Sequence, residues 1–165
     1  MATPEEAQER TLELLEQIVE GLDLDAEIEV VISDDAVTGT LDGEDLGLFI
    51  GKHGQTIDAV QHLATRIVQR DAGEGERIRV EIDAAGYRQK RREQLEQQAE
   101  EAAEKALGDG APVDLPAMNA AERRIVHQHL RDREDVDTHS EGDEPRRYLV
   151  ISPVITSLYW DRRST

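Results

Sequence analysis

The chain has 165 residues, 38% of them hydrophobic and only 3% aromatic, so any core must be built from Leu, Ile, Val and Ala. It carries 19 Lys+Arg against 37 Asp+Glu, a net charge of −18, and it has no cysteine, which excludes disulfides, thiolate metal sites and cysteine nucleophiles. Polyanion binders are usually basic, because neutralised phosphates release counterions. A nucleic-acid function would therefore need a local positive site.

The charge is unevenly spread. Met1 to Ile50 holds 15 acidic residues and one basic residue, Arg10; Gly51 to Arg92 holds 9 basic against 6 acidic. The opening MATPEEAQER has neither a basic start nor an apolar run, so it does not read as a signal peptide. No apolar stretch reaches bilayer length. The expectation is a soluble cytoplasmic protein.

Thr3-Pro4-Glu5-Glu6 reads as a helix start, with Thr3 as N-cap, Pro4 at the first helical position and Glu6 closing a capping box. Leu12, Leu15, Ile18, Val19 and Leu22 then recur at helical spacing. Ala26 to Ser33 alternates, with Ile28, Val30 and Ile32 on one face. Asp34-Asp35 marks a turn into a second strand from Val37 to Leu41. A short helix over Asp45–Ile50, the interruption Gly51-Lys52-His53-Gly54 and a longer helix with Ile57, Val60, Ala64, Ile67 and Val68 follow. After a loop around Asp71 to Gly75, Arg77 to Asp83 alternates again and completes a three-stranded sheet.

Gly86 to Leu107 reads as a long polar helix with a thin seam of Leu95, Ala99 and Ala102. So polar a helix suits a connector between domains, and Gly108-Asp109-Gly110 ends it. Beyond it, Val113 and Leu115 suggest a short strand. Asn119 to Glu122 has the form of an N-cap with its Glu, opening a helix that carries Ile125, Val126 and His129. Val136–His139 and Arg147–Ile151 read as two strands around a turn. The fold class is α+β: a first domain with a three-stranded sheet over 1–84, a linking helix over 85–110 and a small α/β domain over 111–165.

Two motifs carry chemistry. In Ile50-Gly51-Lys52-His53-Gly54-Gln55-Thr56, two glycines let another backbone approach, and the following helix offers its positive end to a phosphate. Lys52 adds charge and His53 a donor, while Ile50, Ile57 and the sheet could form an apolar groove for bases. This is how a GxxG loop clamps about four unstacked nucleotides. Any tight turn between helices can carry a GxxG. Its weight comes from the surrounding order of helix, hairpin, short helix, loop, long helix and strand, the layout of a type II KH domain. In the second motif, Arg123 and His127 stand four apart and so share a helix face, where they could meet a phosphate or a base.

The stretches DLGLFIGKHGQTIDAVQHLATRIVQR, DAAGYRQKRRE, MNAAERRIVHQHL and SEGDEPRRYLVISP together resemble the Jag family, also called SpoIIIJ-associated or KhpB/EloR proteins. These pair a KH domain with an Arg-x-x-x-His domain. The resemblance covers nearly the whole chain. It implies binding of single-stranded RNA, with single-stranded DNA the second candidate, in post-transcriptional regulation and without catalysis. It implies no cofactor and no metal, and a small single-KH protein as a partner. By this resemblance Gly51, Lys52, His53 and Gly54 form the KH loop, Arg123 and His127 the signature pair, and Arg146 and Arg147 a basic pair near the last strand. Arg88 and Arg91, on the polar helix, are candidates for extending the path. His53 stands where a second cation is common, and the N-terminal Jag-N domain of many members has no counterpart in this sequence. The rival reading is a protein–protein adaptor that keeps the fold and binds RNA weakly.

Other chemistry is poorly supported. His127 and His129 are two apart and diverge on a helix, so they do not form a metal pair. The carboxylates fit no Ca²⁺ loop, and there is no P-loop, GxSxG or HExxH. Tyr159 and Trp160 read as a packing anchor in the tail rather than a stacking platform.

Overall fold

The computed structural model describes residues 3–33, 36–70 and 78–154. The chain divides into two units, Met1–Gln89 and Lys90–Thr165.

The first unit contains α1 (Pro4–Gly21), β1 (Ala26–Ser33), β2 (Ala36–Gly43), α2 (Gly47–Ile50), a 3₁₀ turn (Lys52–Gly54), α3 (Gln55–Gln69) and β3 (Arg79–Ala84). The N-terminal capping box is formed: Glu6 N–H donates to Thr3 Oγ1 at 3.2 Å and Thr3 N–H to Glu6 Oε2 at 3.1 Å. The buried stripe of α1 is rotated from the one expected. Ala7, Thr11 and Leu15 form its centre, with Leu14, Ile18 and Val19 at the flanks, while Leu12 is only half-buried and Leu22 caps the end. Thr11 enters the core because its hydroxyl donates to the Ala7 carbonyl at 2.7 Å, so no polar group is left unmet.

The sheet runs β1-β2-β3. β1 and β2 are antiparallel from Ala26↔Gly43 to Ser33↔Ala36; the expected turn at Asp34-Asp35 lies outside the described residues. β2 and β3 are parallel, from Ala36↔Arg79 to Leu41↔Ala84. Parallel neighbours need a long crossover, and here it is α2, the 3₁₀ turn and α3. Val37, Leu41, Val80, Ile82 and Ala84 face the helices, which present Leu15, Phe49, Ile57, Val60, Ala64 and Val68. β1 lies outermost. Ile28 and Val30 pack inward, but Ile32, on the same face, is 40% exposed. From α1, Gln8 Nε2 donates to the Val30 carbonyl at 2.6 Å.

α4 (Tyr87–Asp109) begins in the first unit and continues into the second. β4 (Val113–Asp114), α5 (Ala120–Leu130), β5 (Val136–Glu141) and β6 (Tyr148–Pro153) complete the described chain. The second sheet is ordered β4-β6-β5, with both pairings antiparallel. α5 opens with a second capping box: Glu122 N–H donates to Asn119 Oδ1 at 2.9 Å and Asn119 N–H to Glu122 Oε2 at 3.2 Å.

The seam of α4 does more than the connecting role read from its polarity. Leu95, Ala99 and Ala102 are joined by Ala103 and Ala106, and all five sit in the second unit's core with Val126, Leu130, Leu149 and Ile151. Alanine buries little area per residue and barely moves a polarity average, yet it allows close backbone approach. Arg133 reinforces this wall. Its guanidinium meets Glu100 at 2.7 Å and Glu104 at 2.9 Å on α4, and Asp135 at 2.7 Å. The hydrogen bonds from Arg133 hold the Asp135 carboxyl below the usual carboxylate range. Tyr159 and Trp160, expected to anchor the tail, lie outside the described residues.

Phe49 is the one phenylalanine of the chain and is fully buried, which pins α2 just before the glycine loop. Phe49→Ala is expected to cost about 3–5 kcal/mol, read as a lower urea midpoint at unchanged slope.

Candidate nucleic-acid interface

The glycine loop is built on left-handed backbone. Gly51 has φ 73°, His53 φ 53° and Gly54 φ 77°. A Cβ on Gly51 would lie 2.8 Å from the Thr56 nitrogen, and one on Gly54 would lie 2.7 Å from the Tyr87 ring. Both glycines are therefore required twice over, by conformation and by space. His53 adopts the same region with a side chain, at a cost of about 1–2 kcal/mol. Such strain concentrates at sites that use it.

This backbone projects Lys52 and His53 into solvent. Neither has an ion-pair or hydrogen-bond partner among the described residues, and Gln55 beside them is exposed. Gly54 caps α3 without a side-chain hydrogen bond, so the helix start keeps its positive end open. Asp58 is in that first turn and would oppose an anion. Arg88 offsets it: Nη1 lies 2.9 Å from Asp58 Oδ1, Nη2 donates to Gln61 Oε1 at 3.1 Å and Nε to the Ile82 carbonyl at 2.9 Å. Arg88, expected on an RNA path, is thus a clasp between α3 and the end of β3. Ile57 is fully buried and cannot line a groove for bases; Ile50 is half-buried beside the loop, Leu48 is 65% exposed and Thr56 is half-buried.

The second unit has an open groove between α5 and the β5–β6 pair, lined among others by Arg123, Arg124, His127, His139, Glu144 and Arg147. Arg123 and His127 do share it, as their spacing requires. Arg123 is almost wholly buried, however. Its Nη1 donates to the Met118 carbonyl at 2.7 Å and its Nη2 to Glu144 Oε1 at 2.7 Å. His127 is exposed, with Nδ1 against the Thr138 hydroxyl. His139 Nε2 lies 2.8 Å from Glu141 and holds that carboxyl below its usual range. Burial, aided by the Asp114 and Glu141 carboxylates, pushes the Tyr148 phenol up. Arg147 lines the groove, whereas Arg146 is exposed on the turn before it.

Arg91 is placed elsewhere. Its Nε lies 2.7 Å from Glu122 Oε1, and Glu122 is only 5% exposed, so the pair joins α4 to the start of α5. Sequence reasoning missed Arg124, which is exposed in the groove without an ion-pair partner among the described residues. Its position three before His127 on one helix was the available signal. Tyr87 under Gly54 had none, being far away in the chain.

Residues 12–82 match the family model of the KhpA/KhpB KH domain, and residues 93–153 match that of the R-three-H domain, named for the Arg-x-x-x-His pattern. The RNA-binding protein KhpB of Clostridium symbiosum is 36% identical over 150 residues, covering 90% of this chain and 67% of that protein. The chain belongs to the KhpB family. RNA-binding protein KhpB of Bacillus subtilis is 34% identical over 140 residues, covering 84% of the chain and 66% of the relative. For KhpB of Lactiplantibacillus plantarum the figures are 33% over 135 residues, 82% and 41%. The match thus spans two thirds of the first two KhpB relatives and less than half of the third. Within this KhpB-family chain the expected α+β architecture stands, with a KH-like unit and an Arg-x-x-x-His unit in that order.

Arg91→Ala should lower stability by about 2–3 kcal/mol, because it leaves the buried Glu122 carboxylate without its cation and with the Asn119 N–H as its remaining partner. Arg92→Ala removes only the solvent-exposed contact to Glu96 and should change stability by less than about 1 kcal/mol. Paired urea titrations check both.

Proposed function

We propose that this chain binds single-stranded RNA through two cationic surfaces, the glycine loop of its KH unit and the groove of its Arg-x-x-x-His unit, and that it acts by binding rather than catalysis. One observation carries this reading. In a chain with 37 acids and 19 bases, Lys52, Arg124 and Arg147 have no ion-pair partner among the described residues, and they stand where an open helix end and an open groove would receive phosphate. Arg88, Arg91, Arg92 and Arg133, by contrast, are neutralised by carboxylates. The naming of the KhpB relatives as RNA-binding proteins supports the same ligand.

In this reading Gly51, Gly54, Gln55 and Thr56 bring the RNA backbone close, Lys52 and His53 hold phosphate, and Ile50 contacts a base. His127, Arg146 and Arg147 serve the second surface. Two weak sites on one chain raise overall affinity through effective concentration. Among the described residues no helix is long and apolar enough to cross a membrane. A cytoplasmic setting, regulation of RNA after transcription and a small single-KH partner complete the proposal, with single-stranded DNA as the alternative ligand.

The test is fluorescence anisotropy of a short mixed-sequence RNA with wild type and a Lys52→Asp/His53→Asp double variant. Binding should weaken with salt, and the folded variant should lose about tenfold or more. Equal affinity of the two proteins would instead favour an adaptor that retains the fold.

A further inference from the structure

The contact between Arg123 and Glu144 has an asymmetry that bears on how the groove works. Arg123 is fixed from within: its side chain is 10% exposed, and Nη1 is bonded to the carbonyl of buried Met118. Glu144 is the loose member. Its side chain is 57% exposed, on a turn whose residues Glu141 to Arg146 are all exposed. A guanidinium so deeply placed needs an acceptor on its Nη2 edge, because a buried charged donor left unmet is costly. Its Nη2 edge is met from the groove side, and the group that meets it is Glu144. A phosphate oxygen would satisfy the same donor.

We propose that Glu144 is a built-in competitor for the anion position on Arg123, and that an RNA phosphate takes its place on binding. This rests on the reading of the groove as an RNA surface. The exchange makes and breaks no covalent bond. The carboxylate swings into water, the phosphate oxygen accepts from Nη2, and Arg123 is never without a counter-charge. Arg124 and Arg147, on the same groove, supply the attraction that makes the exchange favourable. The device sets a threshold: a stray anion meets an occupied site, whereas a strand already held by neighbouring cations can displace the carboxylate.

The experiment compares four full-length proteins in RNA anisotropy across a salt series: wild type, Glu144→Gln, Asp143→Asn and Arg124→Glu/Arg147→Glu. The amide of Glu144→Gln still accepts from Nη2 and so preserves the turn. It should bind about fivefold tighter than wild type, and its log–log salt slope should be steeper by about 0.7, because in wild type the displaced Glu144 carboxylate offsets one neutralised phosphate. Asp143→Asn removes a neighbouring charge without touching Arg123 and should gain much less. An equal gain from Asp143→Asn, or unchanged or weaker binding by Glu144→Gln, overturns the proposal and makes Glu144 a positioning residue for Arg123. The charge-reversed pair separates the two readings. If it binds RNA like wild type, the groove is not the RNA surface. If it loses binding while Glu144→Gln gains nothing, only the competitor falls.

Discussion

The parallel pairing of β2 with β3 is the constraint on which the first unit depends. Two antiparallel strands could have been joined by a tight turn. Two parallel ones cannot, because the chain must return to the same end of the sheet before it can run alongside. The return here passes through α2 and α3, and the glycine loop is the corner between them. Its left-handed residues are the geometric cost of turning from one helix into the next while Phe49 and Ile57 both remain in the core. The same corner leaves the start of α3 without a side-chain cap. Fold and the proposed anion site are therefore one construction, and a change to either glycine would disturb both.

Charge then determines where a polyanion can go. With nearly twice as many acids as bases, the molecule carries a net charge of −18, which repels a polyanion. Around the hollow near β1 and α2, Asp23, Asp25, Glu27, Asp42, Glu44 and Asp45 gather together. Against that background an unpaired lysine or arginine counts for more than it would on a basic protein. Fewer places compete for the strand, and weak non-specific adhesion is suppressed. The acidity that argues against nucleic-acid binding in a composition summary thus sharpens the contrast of the few cationic points.

Much of this was legible in the sequence. Both capping boxes, at Thr3/Glu6 and Asn119/Glu122, appear because their partners lie three residues apart. The alternation of Val80 and Ile82 and the glycine spacing at Gly51 and Gly54 are equally local signals. What stayed hidden is long in range. Arg88, Arg91 and Arg123 read as exposed cations until the fold brings Asp58, Glu122 and Glu144 to them from 30, 31 and 21 positions away. A basic residue in a sequence does not reveal whether its charge is already matched inside the protein. The alanine seam of α4 was underestimated for a different reason: packing by small residues leaves little hydrophobic signal.

The outer position of β1 has a further consequence. A sheet margin with Val31 and Ile32 45% and 40% exposed is a template for another strand, and such templates seed aggregation. Here Glu27 and Glu29 stand on the same strand, so two molecules meeting margin to margin would bring carboxylates together, and Gln8 already occupies the Val30 carbonyl. The excess of acid thereby opposes pairing along this margin. That protection is electrostatic, so it fades as salt rises, and solubility and RNA affinity should decline in the same direction along that one variable.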